Sequence, residues 1–456
     1  MKTILKFIGC ISLSVTLYCC NSFEDAEPSN NQMLWEDVFN DARTARAAML
    51  QVYADMRQNG FLTGNGNGIG CMAGCLSDEL IGYSNIPEGF QAFYTLQITD
   101  LSSTVKSLWN SSYRQIYMCN SILSGVSQST VLEQQTKDQL RGEALFTRAL
   151  LHFYLTNTFG EVPFVTSTDY NINSKIDKIG SDEIYTKIID DLKEAALLLP
   201  NQQEAFRTAP SQKTVLALLS RVYLYNKKYA EAYDTALILL QDNEVNTLQP
   251  LEKVFLKEST GTLWQFAPAT ASANSLEGAF YVLPAAPSNR TALNTSLVEV
   301  FTDEDIRKTE WIGSVTGTTV FHFPFKYKEN RPSGASKEYS IVFRIEELYL
   351  IAAEAATVLQ QWQDANHWLA AFKNSRGLAH DDLEQENILI SQIETQRRLE
   401  FFAEFGHRFY DLKRWGKLDA TMVAVKDNWN TRYGLMPIPQ SEIQLNPKLR
   451  PQNAGY

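Results

Sequence analysis

Thr214–Leu240 reads TVLALLSRVYLYNKKYAEAYDTALILL, and Arg344–Ser375 reads RIEELYLIAAEAATVLQQWQDANHWLAAFKNS. Each stretch predicts two helices joined by a short polar turn, at Asn226–Lys228 in one and Gln360–Gln361 in the other. Small residues stand where helices would cross closely, Ala217 and Ser220 in the first, Ala353 and Ala356 in the second. An aromatic or long apolar residue follows, then the turn, then an alanine on the return helix, Ala232 or Ala365. Such helix hairpins cannot bury their apolar faces alone and are stable only when stacked, as in tetratricopeptide arrays. The expected fold class is therefore mainly α, a tetratricopeptide-like helix-hairpin scaffold.

Outward from these hairpins the helical pattern continues. Periodicity predicts helices over Trp35–Arg57, Ser107–Val126, Gln134–Phe159 and Glu183–Leu199, the last stopped by Pro200. Between the hairpins lies an insertion, Val254–Ser340, rich in glycine and aromatic residues. A helix is expected there only over Ser296–Arg307. The alternation of Phe321, Phe323 and Phe325 predicts a strand within Thr319–Lys328. An irregular aromatic segment mounted on a helical scaffold is where ligand contact is expected.

The chain has 456 residues and a net charge of −11, with no basic stripe, so nucleic acid is not an expected partner. It carries 24 Phe, 20 Tyr and 8 Trp against 5 His, a profile that favours gripping over proton transfer. Residues 1–19 read as a lipoprotein signal peptide: Lys2 and Lys6 precede an apolar run too short to span a bilayer, ending in Leu17-Tyr18-Cys19-Cys20. Cys20 is the expected lipidation site and 20–34 a flexible tether, so the membrane is met through a lipid anchor only. Cleavage removes two lysines and no acid, taking the charge to −13. Cys71, Cys75 and Cys119 are expected as buried thiols, Cys71 and Cys75 being able to pair only with favourable geometry; a bound metal is not expected. The glycines of Gly60–Gly70 do not fit a dinucleotide or phosphate loop and read as a flexible connection.

The C-terminal third is the most specific. Gln396-Arg397-Arg398-Leu399-Glu400-Phe401-Phe402-Ala403-Glu404-Phe405-Gly406-His407-Arg408-Phe409-Tyr410-Asp411-Leu412-Lys413-Arg414-Trp415-Gly416 resembles the characteristic helix of the SusD/RagB family. So do Met436-Pro437-Ile438-Pro439, Asn446-Pro447 and the terminal Gln452–Tyr456, with Phe301–Arg307 and Arg344–Ala355 upstream. Ala403 departs from the polar or acidic residue common there. The resemblance spans nearly the whole chain, dividing it into an N-terminal SusD-like helical region (35–253) and a C-terminal SusD/RagB-like region (254–456). It implies an outer-membrane, cell-surface lipoprotein that binds an oligosaccharide, or a peptide as RagB-like members do, for a SusC-like TonB-dependent transporter. No catalysis and no cofactor are implied. The acidic stretch after Cys20 resembles the surface-export signal of Bacteroidetes lipoproteins.

Position matching places the ligand loops at 77–94 and 264–311. The candidate contacts are Asp78, Tyr83, Asn85, Phe90, Tyr94, Trp264, Asn274, Tyr281, Asn289, Arg290 and Trp311, with Asp78 and Glu79 resembling a recurrent acidic pair. No tryptophan lies between Trp35 and Trp109, where starch-binding relatives present one, so a different glycan or a peptide stays open. Two competing readings remain. One is a tetratricopeptide-type envelope scaffold that binds protein segments. The other is a hydrolase using Glu400 and Glu404, one turn apart on a helix, as acid and base. The arginines around that pair, Arg397, Arg398 and Arg408, favour a salt-bridge network instead.

Overall fold

The computed structural model describes residues 35–456; the leader, Cys20 and the tether lie outside the described residues. The helices that organise the chain are α1 (Ala42–Gln58), α2 (Ile69–Leu76), α3 (Phe90–Tyr94), α4 (Ser103–Gln128), α5 (Gln134–Phe159), α6 (Ser181–Leu198), α7 (Gln212–Tyr225), α8 (Tyr229–Leu240), α9 (Ile345–Val358), α10 (Trp362–Asn374), α11 (Glu386–Phe401) and α12 (His407–Arg414). Six short strands make three antiparallel pairs. β1 (Leu80–Tyr83) pairs with β3 (Arg290–Leu293), β2 (Thr262–Phe266) with β6 (Ser340–Arg344), and β4 (Ile312–Thr316) with β5 (Val320–Pro324). The chain is mainly helical, as its hairpin patterns imply.

The two hairpins close in the same way. Lys227 and Gln360 both take a left-handed backbone, with φ of 57° and 59°. The next amide reaches back five residues, Lys228 N–H to the Tyr223 carbonyl and Gln361 N–H to the Ala356 carbonyl, each at 2.9 Å. That is a Schellman-type stop with a non-glycine residue in the αL position. Ala217, Ala232, Ala353, Ala356 and Ala365 are fully buried at the crossings, and α8 packs directly on α9. Arg221 on α7 binds Glu347 on α9 through two bonds of 2.6 and 2.7 Å, both side chains buried. Helices separated in sequence by the long insertion are thus neighbours in space, within an apolar cluster running from Phe39 to Leu449.

Several local expectations need correction. The first helix breaks between Val38 and Ala42, where the Asp41 carboxylate caps α1 by accepting from Arg43 N–H and Thr44 N–H. Ser296–Arg307 is not one helix; it holds the end of a short turn at Thr295–Val298 and the start of another at Ile306–Glu310. The strand expected within Thr319–Lys328 is β5, with Phe323 buried between half-buried Phe321 and Phe325. The characteristic C-terminal helix is two helices, α11 and α12, interrupted where Ala403, Phe405 and Gly406 take positive φ. Cys71, Cys75 and Cys119 are buried free thiols.

Gly60–Gly70 is not a loose connection. Most of it is buried, and its glycines mark close approaches. A Cβ on Gly68 would overlap the Thr63 carbonyl oxygen, one on Gly64 the Glu277 carboxylate, and one on Gly66 would meet the Phe280 ring at 2.8 Å. The Gly68 contact is with backbone, which cannot rotate away. Gly68→Ala is therefore expected to lower stability by about 1–3 kcal/mol. Gly334→Ala, with nothing within 4 Å, should stay within about 0.5 kcal/mol of the parent. Urea unfolding of the two variants checks the contrast.

Candidate functional site

The aromatic insertion folds onto the segment that follows α2. The β1–β3 ladder sets Tyr83 opposite Arg290, and the β4–β5 hairpin packs beside it around a small apolar cluster of Val282, Leu283, Ala292 and Phe323. Half-buried Tyr83 and Phe321 cap that cluster, ring edge to ring face at 5.6 Å. Phe90, on α3, meets Phe280 in the same manner at 6.0 Å. Ser84 donates to the Asn289 Oδ1 at 3.2 Å across the ladder's end, and Asn85 and Asn289 are exposed at its rim. The result is an open platform of partly exposed rings edged by amides and hydroxyls. This is the chemistry of sugar recognition: ring faces for C–H surfaces, amides for hydroxyl groups in a partly wet site.

Not every polar residue there is available. Arg290 commits its Nη1 to the Ala279 and Phe280 carbonyls, at 2.7 and 2.6 Å, and so fixes the turn that carries Phe280. Tyr94 is half-buried under Lys426, whose ammonium lies 4.8 Å from the ring centre and donates to the Tyr94 and Cys75 carbonyls. Adjoining the platform through Tyr281 and Pro324 is a narrow cavity of about 20 Å³, which also touches Glu277, Lys326 and Glu404. It has room for one water and none for a sugar.

The structure brings together Tyr83, Asn85, Phe90, Asn289 and Arg290, with Tyr94 at the margin. It does not bring the other candidates to a surface. Trp264 is fully buried between Tyr53, Phe146 and Phe266, its N–H donating to the Thr208 carbonyl. Trp311 is fully buried against Phe255, and Tyr281 is buried as well. Asn274 is buried and saturated: its Nδ2 donates to Arg331 O and Ser333 Oγ, while its Oδ1 accepts from Lys337 N–H and Glu338 N–H. These four hold the insertion together and offer no face to a ligand. Phe280 and Phe321 join the platform although the family positions do not single them out. Phe321 and Phe323 stand two apart and share one face of β5; Phe321 stays half-exposed because it lies near the hairpin's turn, opposite Val315, which the alternation alone does not reveal.

Asp78 is also structural. Its carboxylate is buried and ion-paired with Arg408 at 2.9 Å and Arg398 at 2.8 Å. Burial alone would raise its pKa, but the two guanidiniums hold it below the usual carboxylate range. Glu79 beside it behaves oppositely. Burial, reinforced by the Asp78 charge, pushes its pKa up to about 8, and its Oε1 has no hydrogen-bond partner. Glu79 therefore carries a proton at neutral pH.

Glu400 and Glu404 do not share a helix face, because α11 ends at Phe401. Glu400 is fully buried and takes Arg376 at 2.8 Å, Arg344 at 2.6 Å and Arg307 at 3.1 Å. Glu404 takes Arg344 at 2.9 Å and Lys326 at 2.5 Å. The salt-bridge reading is right in kind and wrong in partners: Arg397 binds Asp411, and Arg398 and Arg408 bind Asp78. Burial opposes ionisation of Glu400, yet the three guanidiniums hold its pKa far below the ordinary glutamate value. A carboxylate so enclosed can neither donate a proton to a glycosidic oxygen nor meet one. Among the described residues no group of His, Cys, Asp and Glu could hold a metal ion, and no helix is long and apolar enough to cross a membrane.

Comparison with known proteins places these features in a family. Residues 87–224 match a family described as SusD-like, starch-binding and associating with the outer membrane, and residues 288–434 match the SusD family. A SusD-like protein of Formosa agariphila is 23% identical, with 99% of each chain covered. Among solved structures, a SusD superfamily protein from Bacteroides vulgatus superposes with a TM-score of 0.79 at 19% identity, covering 91% of this chain and 99% of that one. A laminarin-binding SusD-like protein gives 0.78 at 21% identity, covering 91% and 99%.

Two outcomes test the charge assignments. Glu400→Gln leaves buried guanidiniums without their counter-charge and should cost about 3–5 kcal/mol in urea unfolding at pH 7. Glu79 has a folded pKa raised from 4.5 to about 8. Its contribution to stability is thus whole below pH 4.5 and lost as pH rises toward 8. Glu79→Gln, which cannot ionise, should gain stability relative to the parent between pH 5 and pH 8.5; unfolding midpoints at both pH values read the difference.

Proposed function

The chain belongs to the SusD/RagB family, and from that premise we propose that it is a lipid-anchored protein of the outer-membrane surface. It holds an oligosaccharide on the platform of Tyr83, Phe90, Phe280 and Phe321 and passes it to a SusC-like TonB-dependent transporter. The observation that carries this reading is the convergence of three distant segments, 83–90, 280–290 and the β4–β5 hairpin, on one rim of exposed ring edges and amides. The laminarin-binding relative and a surface glycan-binding protein of Bacteroides uniformis, with a TM-score of 0.77 at 17% identity, share the fold. The openness of the platform suits a polymer that continues past the protein on both sides.

Calorimetry against neutral hexaoses (laminari-, malto-, cello- and mannohexaose) tests the binding step. Tyr83→Ala is expected to weaken the bound member at least tenfold, about 1.4 kcal/mol, and Asn85→Ala by a smaller factor, with little change in unfolding midpoint. Binding of peptides and of no hexaose would overturn the sugar reading. Deleting the partner transporter gene while nutrient uptake continues unaltered would overturn the delivery step. Loss of fatty-acid labelling in Cys20→Ala checks the anchor.

A further inference from the structure

A second surface has the same chemistry and shares no lining residue with the platform. Two depressions of about 360 and 480 Å³ lie on the helical scaffold with Tyr117 of α4 on the wall of both. Their sizes fall in the range of small-ligand sites. Tyr117 is 50% exposed, and Tyr170, on the short helical turn facing it, is 75% exposed.

The walls are built and rigid. Tyr113 donates its hydroxyl to the Pro163 carbonyl at 3.0 Å and tilts against Trp109 with ring centres 4.9 Å apart. Asn120 donates to the Val165 carbonyl, and Asn446, from the C-terminal segment, to the Ile176 carbonyl. Asn173 spends its Nδ2 on the Ser167 carbonyl, while its Oδ1 stays buried in the groove wall with no hydrogen-bond partner. Exposed amides of Asn110 and Gln51 stand at the two ends. The one charged group lining either depression, among the described residues, is Glu442.

We propose that this trough is a second oligosaccharide-binding site, taking a neutral chain that runs past Tyr117 from one depression into the other. Rings at the floor meet sugar C–H faces, and amides meet hydroxyls. The absence of any lining cation excludes phosphorylated or uronic-acid ligands, which would need a counter-charge. Two depressions in tandem call for an oligomer, since one sugar unit could engage only one of them. A protein partner would have to bury the polar lining with matched donors and acceptors, whereas a sugar brings hydroxyls that serve as both.

The full-length protein, the double variant Tyr117→Ala/Tyr170→Ala, and Tyr83→Ala are titrated by calorimetry with the same four hexaoses. Hydrogen exchange over residues 163–176 is followed with and without sugar. Both trough substitutions remove exposed rings, so the fold should be retained, which the unfolding midpoint verifies. The expected result is two equivalents of hexaose on the parent and one on each variant. Slowed exchange over 163–176 should appear in the parent and in Tyr83→Ala, and be lost in the trough variant. Parent-like stoichiometry in the trough variant, with no binding left in Tyr83→Ala, overturns the trough and leaves the platform standing. The reverse pattern supports the trough and overturns the platform. No hexaose bound by the parent, or exchange at 163–176 slowed only by a protein partner, overturns the trough.

Discussion

Glu400 is the constraint on which the rest of the molecule depends. Its carboxylate is reached by guanidiniums from three segments: Arg307 at the end of the insertion's central part, Arg344 at the mouth of the second hairpin, and Arg376 just past that hairpin's end. Asp305, Glu346, Glu404 and Lys326 complete the group, giving four acids and four bases in a region with almost no exposed surface. Apolar stacking of helix hairpins is non-directional, and after an excursion of about a hundred residues it would tolerate several registers. A buried charge paired with three others tolerates one, because any slip strands an ion at a cost of several kcal/mol.

That register is transmitted to the platform through backbone. Past Glu400 the chain breaks from helix, with Lys326 donating to the Glu400 and Phe402 carbonyls. Gly70 of α2 sits against the Phe405 amide and the Ala403 carbonyl, where a side chain would crowd the turn. α12 then points Arg408 at Asp78, two residues before β1, and β1 carries Tyr83. Glu79, protonated beside the Asp78 ion pairs, adds no second negative charge there, so two guanidiniums face one carboxylate. The acidic pair is a hinge pin under the site and not a part of it.

This explains what could be read in advance and what could not. The hairpins were legible because a 3.6-residue period and small crossing residues are local properties, and their turns even share one backbone geometry. The Phe321–Phe325 strand was legible for the same reason. Trp264, Trp311, Tyr281, Asn274 and Asp78 are not legible as interior residues, because a ring, an amide or a carboxylate in an irregular segment looks the same in sequence whether it meets solvent or a partner far along the chain. Asp78 finds Arg408 at a separation of 330, and no local pattern encodes that. The glycine loop failed differently: alternate glycines signify freedom or close approach, and only the neighbours Thr63, Glu277 and Phe280 decide which.

The aromatic excess therefore divides by neighbour. Rings enclosed by other rings, as Trp264 is by Tyr53, Phe146 and Phe266, give the insertion the core that its irregular backbone cannot supply through helix or sheet. Rings at an edge, such as Tyr83 and Tyr117, leave surface open. Each such open surface is shallow, and a shallow wet contact with a neutral chain is weak because few groups are desolvated. Two such surfaces on one scaffold would change that, since a polymer held at one would be presented to the other at a high effective concentration, provided its length spans the gap. A binder of long chains gains more from a second modest surface than from deepening the first, because a deep pocket would admit an end and exclude the interior of the chain.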